Sequence, residues 1–141
     1  MAGTCVITRK KTNVGLASNK PNVVEEIKYA CTTTSGGLVD KQTDEIVVGR
    51  VVGFIANPDG TDAPTDNYDV TITNEDGVDV LGGAGANLDT ANSEMMAPMI
   101  GNLTSSFTAY GSPFVASKLQ VNMSAGGDTK KSVLTLLVSA V

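Results

Sequence analysis

The residues that could do chemistry here are carboxylates, and they crowd into one stretch. PTDNYDVTITNEDGVDVLGGAGANLD, residues 64–89, holds Asp66, Asp69, Glu75, Asp76, Asp79 and Asp89, with Asn67, Asn74, Asn87 and a run of glycines. Acids at turns could chelate a hard cation, paired acids could act as general acid and base, and glycines ahead of a helix could cradle a phosphate. Each chemistry demands its own spacing. An EF-hand loop needs acidic ligands at alternating positions before a central glycine, and counting back from Gly77 puts apolar Ile72 at the first of them. The calcium-binding nonapeptide needs GGxGxD and then an apolar residue; from Gly82 those places are taken by Asn87 and Asp89, and the pattern occurs once. A dinucleotide fingerprint from Gly83 would need glycine where Leu88 stands, and a helix behind it. What survives is a surface calcium site built from Asp66, Asp69 or Asp76, and against it the plain reading of solvated turn residues.

Other chemistries have less to work with. The chain contains no histidine, which removes Ser–His–Asp and Cys–His nucleophiles and every His-ligated metal site. The acids fall mostly at turns or on outward strand positions, where carboxylates are usually solvated and ordinary. No motif assigns catalytic roles or a cofactor, so the sequence reads as non-enzymatic. Cys5 and Cys31 are too few and too far apart for a metal site. The N-terminus MAGTCVITRKKT lacks the apolar core of a signal peptide, which points to synthesis in the cytoplasm. In that compartment the two cysteines are expected as buried thiols, with a cross-strand disulfide as the alternative.

Charge narrows the partners. The net charge is −5 and the pI about 4.5. Nucleic-acid binding needs clustered Lys and Arg to displace phosphate counterions. Arg9, Lys10 and Lys11 form the one dense basic cluster, with Lys130 and Lys131 a lesser pair. Direct nucleic-acid binding is not expected; the clusters read as solvated strand ends, or the first as an arm that docks on an acidic protein surface. No apolar run approaches the ~18 residues of a membrane span. Two glycosylation sequons, at Asn102 and Asn122, read as chance without a secretory signal.

The elements that must position these residues are strands. The 141 residues suit one domain, and with 41% hydrophobic but only 4% aromatic residues the core must rest on Val, Ile, Leu and Ala. VVEEIKYACTT, 23–33, alternates so that only Glu25 spoils its apolar face. EIVVGRVVGFIA, 45–56, is apolar on both faces apart from Arg50 and reads as a central strand. NYDVTIT, 67–73, alternates with Tyr68, Val70 and Ile72 inward. NEDG follows as a type I turn with a left-handed glycine, and Val78 and Val80 resume the inward positions, so 67–81 reads as a hairpin. Residues 82–102 are the least strand-like, with one or two helical turns conceivable over 89–96; 105–114 could hold a short strand and a turn. SKLQVNM at 117–123 and SVLTLLVSA at 132–140 read as a second hairpin through AGGDTK. The expected fold is all-β: an antiparallel β-sandwich, jelly-roll-like, or a small barrel, with residues 1–22 an N-terminal strand or arm and 23–141 the single domain.

The segment APTDNYDVTITNEDGVDVLGGAGANLDTANSE resembles one that recurs in small structural proteins of tailed bacteriophages: a PTDNYD-type strand, a DGxDVLGG-type turn and a GAGxN-type loop after an extended strand such as VVGFIANPDG. The resemblance covers residues 46–94 and extends weakly to 117–140. It implies a virion component, made in the host cytoplasm and placed on the capsid exterior. The leading expectation is a head decoration (cement) protein; a head fibre, neck or tail component is the alternative. Its partners would be the major capsid protein and itself, as a trimer or other closed homo-oligomer that hides its sheet edges. Candidate contact residues are Arg9, Lys10 and Lys11, then Asn87 and Leu88 in the glycine loop, and Met95, Met96, Met99 and Ile100 around Pro98. A rival from another class is a host-surface or glycan-binding module, for which Tyr110 and Phe114 would be the aromatic platform.

Overall fold

A computed structural model describes residues 3–13, 23–104 and 107–139; of Asn13 and residues 100–104 and 107–110 only the backbone is described. The architecture is an antiparallel β-sandwich, and no helix occurs among the described residues. Eleven strands run β1 Thr4–Asn13, β2 Val23–Thr32, β3 Val39–Gln42, β4 Val47–Pro58, β5 Asp69–Thr73, β6 Glu94–Met96, β7 Ile100–Thr104, β8 Phe107–Gly111, β9 Phe114–Ser117, β10 Gln120–Ser124 and β11 Lys131–Ser139. The large sheet has the order β1-β2-β11-β4, and the far edge of β4 is shared by β6 and β9. The small sheet is β3-β10-β5, and among the described residues β7 and β8 pair only with each other.

The alternation over 23–33 is confirmed: Ile27, Tyr29 and Cys31 are buried while Lys28 and Ala30 face out. β4 is central, but only one of its faces is covered. Val47, Val51, Phe54 and Ala56 enter the core, whereas Val48 and Val52 are exposed. The register shifts opposite Leu137 and Val138, so that β4 carries one extra residue, Val52. This bulge keeps both Val51 and Phe54 pointing inward although they lie three residues apart. Opposing them, Val39, Val70, Ile72, Val121 and Met123 form the inner face of the small sheet. Tyr68 and Leu119 close the same core beside it.

Three expectations are corrected. Strands β10 and β11 are not a hairpin: β10 sits between β3 and β5, and β11 sits between β2 and β4, in the opposite sheet. The 125–130 segment is an arch between layers. It is pinned where the Thr33 hydroxyl donates to Gly127 O and accepts from Lys130 N–H, and where Gly126 N–H donates to Gly37 O. No helical turn forms over 89–96 either. The Asp89 carboxylate accepts the amides of Ala91 and Asn92, as a helix cap would, but the chain then extends and pairs Glu94–Met96 with β4. Pairing with an existing sheet edge satisfies that backbone better than one isolated turn.

The third correction concerns the cysteines. Cys5 and Cys31 are joined in a disulfide. They are directly opposed across β1 and β2, with Cα atoms 4.1 Å apart, the close approach of a non-hydrogen-bonded antiparallel pair. Over Thr4–Asn13 the N-terminal segment is a full edge strand, paired residue for residue with β2. Residues 14–22 lie outside the described chain.

Candidate functional site

Inside the fold, the acidic stretch binds its own backbone. β5 is the edge of the small sheet, and its outward amides and carbonyls would be open to solvent. The chain after β5 turns at NEDG, where Gly77 N–H donates to Asn74 O with Gly77 in the left-handed region at φ 79°, as the spacing predicts. It then runs back along β5 without becoming a strand. Val80 N–H donates to Ile72 O, Val70 N–H to Gly85 O, and Leu88 N–H to Tyr68 O. The carboxylates fill the gaps. Asp79 Oδ1 accepts Ile72 N–H and Leu81 N–H, and its Oδ2 accepts Gly83 N–H. Asp69 Oδ1 accepts Asn87 N–H at 2.8 Å, and Asp66 Oδ1 accepts Thr90 N–H.

The glycines have matching reasons. A Cβ on Gly85 would overlap the Val70 carbonyl, and one on Gly82, already at positive φ, would overlap the Met99 carbonyl. They permit close backbone approach, not phosphate binding. Val78, expected inward, is half exposed, because only one bridge, Thr73 to Asp79, forms before the return arm bends away; Val80 is buried as expected.

Two carboxyls are shifted. Asp89 is held below its ordinary 3.8 first by the Asn92 side-chain amide and then by the Ala91 backbone. Asp59 is lowered by the amides of Asp62 and Thr61, with Lys131 a smaller contribution. Both are turn-closing acids rather than activated ones. Among the described residues no three His, Cys, Asp or Glu side chains converge as a metal-binding group.

The opposite edge, β1, meets the same problem differently. Among the described residues no strand pairs with its free side; its first residues contact β3, and Arg9 reaches the Glu45 and Ile46 carbonyls. The disulfide ties its start, and an ion pair ties its far half. Arg9 Nε donates to Glu25 Oε1 at 3.0 Å, and Arg9 Nη2 joins the same oxygen and the Ile46 carbonyl. Glu25, the residue that broke the apolar face of β2, is thus a buried partner for a cation two strand positions along. Lys11 approaches its second oxygen at 3.9 Å, and Lys10 faces the other way. The basic cluster is therefore divided between the two faces of one strand.

The candidate contact residues do not form one surface. Arg9, Lys10 and Lys11 lie on β1, and Met95 and Met96 on β6, at opposite edges of the large sheet and roughly 19 Å apart at ordinary strand spacing. Leu88 belongs to the core, while Asn87 is exposed at positive φ. Met95 and Met99 are exposed, Met96 packs on the core, and the side chain of Ile100 lies outside the described residues, as does that of Tyr110.

What sequence reasoning missed is the outer face of the large sheet. The registers align rows across it: Val6–Ala30–Val133–Asn57, then Thr8–Lys28–Thr135–Ile55–Met95. Two adjoining depressions of about 530 and 370 Å³ lie here, sharing Asn57 and Val133. The large sheet carries Arg9, Lys10, Lys11, Lys28, Arg50 and Lys131 against Glu25, Glu26 and Glu94, so it is net basic in an acidic protein. The signal was present as strand-by-strand alternation, but the rows exist only once the strand order is known. Comparison of the chain with family models, curated proteins and solved structures finds no match.

Proposed function

We propose that this is a non-enzymatic structural protein of a tailed-phage virion, most simply a decoration protein that binds and stabilises the outside of the capsid shell. The resemblance over residues 46–94 suggests the virion. The observation that carries the structural side of the reading is the use of the acidic stretch: Asp66, Asp69 and Asp79 accept backbone amides and close a sheet edge. The most ligand-like residues thereby hold a rigid scaffold, which is what a shell-binding module needs. A net basic sheet in an acidic chain adds a surface suited to an acidic lattice, where weak contacts multiply by repetition.

The first test is the copy number in purified particles. Hundreds per particle support shell decoration; about a dozen, the number expected of one ring at a symmetry axis, support a neck or fibre component; absence from particles overturns the virion reading. Binding to shells is tested with Lys10→Glu and Lys11→Glu together. Deleting residues 2–12 is the wrong experiment, because it removes the sheet strand and half of the disulfide. If the charge reversal leaves shell binding unchanged, β1 is not the contact.

A further inference from the structure

The longest stretch of this chain without a charge runs between Glu94 and Lys118. It contains β6 beyond its first residue, β9, and the β7–β8 hairpin between them. That hairpin pairs with neither sheet, and among the described residues neither of its strands makes more than slight contact with any other element. A lone two-stranded hairpin is at best marginally stable in water. Its sequence, IGNLT and FTAYG, offers nothing charged to keep it solvated. Exposed apolar side chains flank it in the chain: Met95 at 69%, Met99 at 46% and Phe114 at 58% of full exposure. Arg50, opposite Phe114 across β4 and β9, stands at the rim. An uncharged, Met- and aromatic-bearing centre with a charged rim is the composition of a protein interface.

We infer that this surface, the β6 and β9 edge with the β7–β8 hairpin, is where copies of this chain associate, each contributing the same uncharged patch. The occupant follows from charge. Two copies of a −5 chain repel each other over most of their surface, and this is the long stretch on which like meets like without repulsion. The inference does not depend on the decoration reading and holds for any role of the protein.

Sedimentation velocity of the full chain, from micromolar to near-millimolar concentration, tests it. The expected result is a concentration-dependent species heavier than a monomer. Met95→Lys combined with Phe114→Lys should weaken association more than about a hundredfold, by burying unpaired charge, while Val6→Lys on the opposite edge leaves it unchanged. A wild-type chain that stays monomeric throughout overturns the inference, as does a folded double variant that associates normally. Should the double variant unfold, hydrogen exchange of the wild type across a dilution series replaces it. Protection over 95–117 should fall on dilution while that of β1 holds; unchanged protection over 95–117 overturns the proposal.

Discussion

The free side of β5 and the free side of β1 present the same hazard, a row of unpaired backbone groups, and the molecule treats them in opposite ways. β5 is five residues long and is covered by an irregular segment of its own chain, in which the Asp79 carboxylate accepts an amide where a regular strand would offer a carbonyl, and glycines allow the close approach. β1 is ten residues long and, among the described residues, is left open, held to β2 by a disulfide at one end and a half-buried ion pair towards the other. A covered edge depends on close fit. An open edge depends on ties to the strand behind it, and its Lys10 and Lys11 discourage a wrong partner. The difference predicts that the β5 side fails through steric or hydrogen-bond defects and the β1 side through loss of its tethers.

The sharpest break is steric. Gly85→Val drives a side chain into the Val70 carbonyl, so the covering segment must lift off β5; a loss of about 4 kcal/mol is expected in denaturant unfolding, against under about 0.5 kcal/mol for Gly60→Val, where a Cβ meets nothing. On the other edge, Cys5→Ser with Cys31→Ser, or reduction, should lower stability by about 3 kcal/mol, with proteolysis or hydrogen exchange showing the release localised to β1. An equal rise in exchange over residues 78–88 would deny that the two edges are independent. Asp79→Ala leaves three amides without their acceptor and should cost about 2 kcal/mol, with faster exchange at Ile72, Leu81 and Gly83.

The smallest effect is acid sensitivity. Asp59 and Asp89 have folded values below 3.8, so the stability they contribute is complete above that pH and disappears as pH falls through the folded values. Below pH 3.8 the turns at 59–62 and 89–92 should loosen before β1 does, which amide exchange at successive pH values would show. Loosening of these turns on raising the pH from 5 would contradict the sign.

Much of this was legible in the residues themselves. Alternation placed Ile27, Tyr29, Tyr68, Val70, Ile72, Val121 and Met123 on inner faces, because a strand's period of two is a local property of the backbone. The NEDG turn was equally local, since only its own glycine needs the left-handed conformation. Motif spacing also ruled against the EF-hand, nonapeptide and dinucleotide patterns for the acidic stretch, and left open a surface calcium site. The sequence could not say what those acids bind, because Asp79 reaches back to Ile72 only after β5 becomes an edge.

Partnership was decided by the tertiary structure. β10 and β11 look like the two arms of a hairpin, and their connection is short enough for one. They part because each has apolar residues that a different sheet can bury, and strand alternation carries no information about which neighbour will supply the hydrogen bonds. The same holds for the cysteines and for Glu25. Cys5 meets Cys31, and Glu25 meets Arg9, through the register of β1 on β2, a long-range pairing set by packing the whole sheet. The sequence by itself determined where the long strands β2, β4 and β11 lie, where the chain turns at NEDG, and that it is acidic and turn-rich. The tertiary structure determined which strand lies beside which, and from that alone came the disulfide, the difference between the edges of β5 and β1, and the exposure of Met95, Met99 and Phe114.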